Sequence, residues 1–306
     1  MRQTKRNPVI LRDLLPFDIM KEKIGETAMI RIVNLMEDTC GNDGCLYEHG
    51  LSFYVETPGH KLLADTGASE KTLENAGKLG IDLKQVDTVM ISHGHYDHGG
   101  GIPAFARMNP DARIYIRENA FGKFYHEKPN GAHYIGLDPD IENLPQLIRV
   151  SGDCRIDEEL SLFTNVTGRR LWPQGNKELT CKEEESMRQD DFSHEQYLVI
   201  HDSGKNVLIS GCAHNGILNI LDAYKERFGG CPDAVVSGFH MMKKQGYNDE
   251  DLETIDQIAK ELKKLPCQFF TGHCTGEIPF ERMRKIMGNQ IEYIRCGQEI
   301  QWQNCK

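Results

Sequence analysis

No apolar run in this chain approaches the roughly 20 residues that a membrane-spanning helix needs, so a membrane role is not expected. Positive charge is in deficit: 36 Lys and Arg face 46 Asp and Glu, a formal net charge of −10. That balance repels polyanions, and no local basic patch stands out to support nucleic-acid binding. Ten cysteines are present, but they lack the paired spacing of a closed zinc site. Cys40 and Cys45, in DTCGNDGC, have no second pair to complete them and read as thiols in a Gly-rich turn. The basic N-terminus has no clean apolar stretch, since Arg12, Asp13, Pro16 and Asp18 interrupt it, so no secretion signal is read there. The cysteines are then expected to be reduced and the protein cytoplasmic. No period of 20–50 residues recurs, which argues against solenoids and propellers.

What is present suits an enzyme that acts on a small molecule. With 306 residues, 39% hydrophobic and 27% charged, the chain can bury a core of its own. From Ala28 onward, β-branched runs alternate with turn signals: MIRIVNL, LSFYVET, HKLLADTG, VDTVMIS and ARIYIRE predict strands. Between the third and fourth, SEKTLENAGKLG predicts a helix capped by Ser69, with Leu73, Ala76 and Leu79 on one face and Gly80 at its end. Residues 118–192, rich in Pro, Gly and charge, read as loops and a lid, with ELSLFTNVTG their clearest strand. The acidic run at 183–185 reads as a solvated loop. Alternation then resumes in QYLVIHD, NVLISGCAH, DAVVSGFH, CQFFTGH and IEYIRCGQEIQW, with helices near 215–228 and 249–264. The expectation is an extension over 1–27 and one α/β domain over 28–306, with the lid inserted.

Residues 91–101, ISHGHYDHGGG, concentrate the chemistry. VDTVMIS ends at Ser92, so His93 opens a loop at the C-terminal edge of a strand, where α/β sheets build their sites. His93 and His95 can aim at one point, while Asp97 and His98 diverge from them. Four candidates suit two adjacent ions better than one open tetrahedral site. The glycines, Gly94 and Gly99 to Gly101, are expected to let the backbone turn tightly before a helix, IPAFARM.

H-x-H-x-D-H is the metal signature of the metallo-β-lactamase superfamily, which this chain resembles over about residues 28–300. The resemblance implies a four-layer αββα sandwich, two mixed β-sheets flanked by helices. It also implies two divalent ions, zinc first, with iron, manganese or magnesium as alternatives. Asp65, in LLADTG, matches an aspartate that orients the histidine loop, and His273, in FFTGHCTG, matches the last ligand of the second ion. For the first ion's third ligand, His214 in GCAHNG competes with His194 in FSHEQYLVI. His214 is favoured because strand ends position ligands well. Cys212 stands where a bridging aspartate is usual; it is read as a small buried cysteine, with a bridging thiolate as the alternative. EHGLSFYVE, GCAHNGI, SGFH and TGHCTG narrow the likeness to a branch related to an archaeal dihydropterin enzyme. That enzyme joins a dihydropterin pyrophosphate to a ribofuranosylaminobenzene phosphate. Ser237 departs mildly from the G-G-F-H common in this branch.

A bound ion brings the pKa of its water toward neutrality, so hydrolysis of an ester, thioester or phosphoester is the default chemistry. Transfer with a diphosphate leaving group is its variant. Asp97 and His240 are the catalytic candidates, and His49 is a weaker one beside them. Arg117, Lys123 and Lys128 are candidates for an anionic substrate, with surface solvation the favoured reading for each alone, and Phe121, Phe124, Tyr125, Tyr134 and Trp172 for an aromatic wall or a small core of the lid. A di-iron oxidoreductase of the same fold and a non-catalytic metal-binding module are the competing classes. Oligomeric state is left open.

Overall fold

The computed structural model describes residues 30–42 and 44–300; the expected extension over 1–27 lies outside them. The strands in chain order are β1 (Arg31–Met36), β2 (Ser52–Glu56), β3 (Lys61–Ala64), β4 (Thr88–Met90) and β5 (Arg113–Arg117). Next come β6 (Lys123–Lys128), β7 (Gly131–Tyr134), β8 (Leu147–Val150), β9 (Cys154–Arg155) and β10 (Leu160–Thr164). They are followed by β11 (Leu179–Glu183), β12 (Ser186–Gln189), β13 (Gln196–Asp202) and β14 (Lys205–Ile209). The last three are β15 (Ala234–Val236), β16 (Gln268–Thr271) and β17 (Ile291–Tyr293). The helices are α1 (Lys71–Lys78), α2 (Tyr96–Gly99), α3 (Ile102–Met108), α4 (Ile217–Phe228), α5 (Asp249–Lys263) and α6 (Glu277–Met287). Among the described residues, no helix is long and apolar enough to cross a membrane.

Two large sheets form, in the orders β1-β2-β3-β4-β5-β8 and β17-β16-β15-β14-β13-β10-β9. Period-two alternation gives each sheet two apolar faces, and three cores follow. Ile32, Phe53, Leu62 and Met90 of the first sheet meet Leu198, Ile209, Val236 and Phe270 of the second. The other face of the first sheet, with Leu63, Val89 and Ile114, packs on Ala76 of α1 and Phe105 of α3. The other face of the second, with Val199, Leu208 and Phe269, packs on α4, α5 and α6 through Ile220, Ile258 and Met283. The result is the expected αββα order of layers.

Strands β3, β4, β5 and β8 run parallel, as do β14 to β17. Each set therefore delivers its C-terminal ends to one edge, which is how the histidine-bearing segments are brought together. Two local expectations change. Ser69 stands one residue before the cap of α1; its hydroxyl donates to Glu48 and accepts from the Lys71 N–H. Segment 118–192 is more than loops: it supplies β8 to the first sheet, β9 and β10 to the second, and four strands of a third sheet ordered β12-β11-β6-β7. Strands such as KFYHEK and SMRQ are polar on both faces, so they carry no period-two signal. The acidic residues at 183–185 close the exposed β11–β12 hairpin, where Glu183 pairs with Arg188.

Away from the histidines, His60 clasps the two large sheets. Its Nδ1 lies 2.7 Å from Asp87, before β4, and its Nε2 lies 2.8 Å from Asp157, in the β9–β10 turn. Burial opposes protonation, but the two carboxylates outweigh it and raise the pKa above its ordinary value. A raised folded-state pKa gives stability that is fully present below the unfolded value, near 6.5, and is lost as pH rises through the folded value. His60→Gln is therefore expected to lower stability by about 0.5–1 kcal/mol at pH 6 and by clearly less at pH 9. Urea denaturation at both pH values measures this, and equal losses would remove charge from the explanation.

Candidate metal centre

His93 lies three residues past the end of β4, and one helical turn, α2, carries Asp97 and His98 directly after His95. Asp97 and His98 thus lie on a helical turn rather than in the expected loop. The glycines serve packing. Gly100 and Gly101 have ordinary helical φ of −64° and −78°. A Cβ on either would run into the carbonyl of Ala68 or Thr66. His214 follows β14, His240 follows β15 and His273 follows β16, all at the same edge.

Two groups of buried side chains converge there. His93, His95 and His214 form one, and Asp97, His98, Cys212 and His273 the other, with ligand atoms inside each group within 4.8 Å of one another; His95 also forms a buried group of the same kind with Asp190 and His194. Asp97 Oδ2 lies 3.5 Å from His98 Nε2 and 3.4 Å from His273 Nε2. Two ligand atoms of a tetrahedral ion about 2.0–2.1 Å away stand about 3.3 Å apart, so these spacings fit.

The opposite nitrogen of most rings is held by the protein. His98 Nδ1 donates to Asp65 Oδ2 at 2.7 Å, and His273 Nδ1 to Asp38 Oδ1 at 2.5 Å. His93 Nδ1 donates to Ser92 Oγ at 2.9 Å, and His214 Nδ1 to Asn176 Oδ1 at 2.9 Å. For the neutral rings of His93 and His214 these contacts put the proton on Nδ1 and leave the Nε2 lone pair free. The Nε2 atoms of His93, His95, His214 and His273 are buried without a hydrogen-bond partner. Four such orphans in one place are costly unless an ion receives them, so the donor set fits a metal.

His194 differs from His214 in this respect. Its Nδ1 accepts the Gly94 N–H at 3.0 Å and its Nε2 donates to Asp190 at 3.1 Å, so both nitrogens are used. Asp65 also accepts from the Ser92 N–H and hydroxyl, both at 2.7 Å, which ties the end of β3 to the end of β4. Asp65, Ala213, His240 and His273 hold left-handed φ of 61°, 54°, 47° and 49°. Strain of this kind collects at functional sites.

A model of the metallo-β-lactamase superfamily matches residues 48–176. A solved metal-dependent hydrolase of the β-lactamase superfamily is 30% identical, matches 90% of this chain and 100% of its own, and has a TM-score of 0.75. The chain belongs to the metallo-β-lactamase superfamily. Among curated relatives, the 7,8-dihydropterin-6-methyl-4-(β-D-ribofuranosyl)-aminobenzene-5'-phosphate synthase of Methanocaldococcus jannaschii is 29% identical over 92% of this chain and 100% of its own. The metallo-β-lactamase fold protein YhfI from Bacillus subtilis matches 89% of this chain and 98% of its own. At 14% identity and a TM-score of 0.52, it shares the fold alone.

Members of this superfamily bind divalent metals, and burial keeps three of the imidazoles here in the neutral form that a ligand needs. Burial first, then neighbouring imidazoles, lowers the pKa of His93 and His214, and brings His95 down to about 3. All three are neutral, as ligands must be. For His98 burial opposes protonation, but Asp65 and Asp97 outweigh it and raise the pKa to about 9. For His273 burial again opposes, and Asp38 prevails and raises the pKa.

Other expected residues are placed differently. Arg117 does not face the centre: it is buried and donates to the carbonyls of Val150 and Ser193, joining β5 to the segment before β13. Lys123 is exposed at one end of β6, as is Lys128 at the other. Of the expected aromatic wall, Phe124 reaches the centre, its ring 4.0 Å from that of His194 and 5.7 Å from that of His95. Tyr125 and Tyr134 pair with each other, and Trp172 packs on Phe192. Phe121 packs with the outer core and lies under Arg149. His49 is half exposed, with Nδ1 2.8 Å from Asp38 and Nε2 3.5 Å from Asp97. His240 sits 4.2 Å from the His214 ring, and its buried Nδ1 has no partner. It lines a narrow cleft of about 30 Å³ with Gln174, Phe239, Lys243 and Tyr247.

Sequence reasoning did not single out Asp38, Asn176 or Glu195. Glu195 accepts from the His214 and Asn215 N–H groups at 2.6 and 2.9 Å and so holds the loop after β14. Asn176 also donates to the His214 carbonyl at 2.7 Å. A signal was available for Asp38 alone, in the acid pair Glu37-Asp38 directly after β1. Asn176→Ala should lower metal affinity by about tenfold with little change in fold, because it frees the His214 ring. A competition titration with a chromogenic chelator measures it, and unchanged affinity would mean that His214 needs no such support.

Proposed function

We propose that this chain is a metal-dependent hydrolase or transferase acting on a small anionic substrate with an ester or phosphate group. The reading places one ion on His93, His95 and His214 and a second on Asp97, His98 and His273, with zinc the first choice. The observation that carries it is the convergence of orphaned Nε2 atoms with Asp97 in one buried centre. When bound, the ions supply Lewis-acid activation of water and charge stabilisation for an oxygen leaving group. The chain's own residues do the rest. Asp65, Ser92, Asp38 and Asn176 orient the imidazoles, and Phe124 and Phe192 cover the buried rings of His194 and His214. His240, which lines the cleft, holds or delivers a proton to the substrate.

The synthase relative makes a pterin-joining reaction the first transfer to assay, beside phosphodiester and thioester hydrolysis. His95→Ala should lose most bound metal while keeping the fold. His214→Ala should cost more than about tenfold in affinity, and His194→Ala should cost less. Metal analysis with circular dichroism reads all three, and full metal in His95→Ala would sink the ligand set. His240→Asn should lower kcat by about 10²–10⁴ with metal content unchanged. If metal falls instead, His240 is a ligand.

Proton linkage adds a pH dependence. His98 is protonated below about 9 in the metal-free protein, so an ion must displace that proton. Metal affinity should rise with pH through this range. Calorimetric titrations across pH 6–10 would show it, and a flat profile would separate His98 from the ion.

A further inference from the structure

Cys212 belongs to the second ligand set and reaches His214 of the first. Its Sγ lies 3.1 Å from His98 Nε2. It groups with Asp97, His98 and His273 on one side and with His214 and His240 on the other. Those two groups share no other member. The neighbourhood is not that of an inert buried thiol, which behaves as a small hydrophobe. Cys45, Cys267 and Cys296 each lie in an apolar cluster, whereas Cys212 lies in none.

The backbone holds the sulfur firmly. A Cβ on Gly211 would strike Ser92 Oγ, so the end of β14 is pressed against the Asp65–Ser92 pair. The Gly211 carbonyl accepts the Gly238 N–H at 2.8 Å, which anchors the same turn to the segment after β15. The nearby Cys274 is placed differently. Its Sγ accepts the His240 N–H at 3.3 Å and points toward the Cys212 carbonyl, and it joins neither ligand group.

We propose that Cys212 bridges the two ions as a thiolate, and that the centre thereby favours thiophilic ions, zinc or ferrous iron, over magnesium and manganese. This rests on the dinuclear reading above. An aspartate in this place would offer two hard oxygens; a thiolate offers one soft sulfur. Coordination releases the thiol proton to solvent, and no oxidant or reductant is involved.

Cobalt(II) titration of the metal-free full chain tests the idea, because thiolate coordination gives an intense near-ultraviolet charge-transfer band that imidazole and carboxylate do not. The band should grow through both equivalents, vanish in Cys212→Ser and Cys212→Asp, and persist in Cys274→Ser. Cys212→Asp should still take up two ions, with the ratio of zinc to manganese affinity reduced by about tenfold or more. Two cobalt ions bound to the unaltered chain without the band, or a band lost only with Cys274, would overturn the bridge and leave the dinuclear reading intact. Failure of the unaltered, folded chain to bind cobalt would overturn that reading itself.

Discussion

An imidazole buried to receive an ion must have its other nitrogen satisfied by the protein, and this demand organises the whole edge of the molecule. Each pinned ring recruits a partner from a different element: Asp65 from the end of β3, Asp38 from the loop after β1, Ser92 from the end of β4, and Asn176 from before β11. Because the partners are scattered along the chain, the centre exists only when both sheets and the inserted segment are in place. Asp65 is the tightest of these joints, since one carboxylate serves the backbone, the hydroxyl of Ser92 and His98.

Charge is arranged to match. The centre buries Asp97, with Asp38 and Asp65 close by, among several imidazoles. The carboxylates raise the pKa of His98 and His273, while burial and mutual repulsion keep His93, His95 and His214 neutral. One group thus carries protons where a cation belongs, and the other offers bare lone pairs. Two of the left-handed residues around it, Asp65 and His273, take part in the hydrogen bonds that aim the rings.

Much of the candidate site was legible because its signals are local. H-x-H-x-D-H, the strand-end Asp65, and the histidines after β14 and β16 each announce themselves within a few residues. The outer-shell partners do not. Asn176 and Glu195 are ordinary polar residues in a polar stretch, and their roles arise from contacts across 38 and 19 positions of sequence. Arg117 was misplaced for the converse reason: a cation just past a strand looks solvent-facing until the carbonyls of Val150 and Ser193 are seen around it. The third sheet escaped notice because two of its four strands, β7 and β12, are exposed on both sides and lack a hydrophobic period.

By itself, the sequence determined the family, the layer order and the residue types available for a metal, because apolar period and motif spacing are properties of short stretches of chain. Only the tertiary structure shows which nitrogen lone pairs of His214 and His194 other segments have already used, since those contacts join distant parts of the chain. The same holds for Cys212. Its identity is written in the chain, but its place beside Asp97, His98 and His214 comes from strands that meet only after folding.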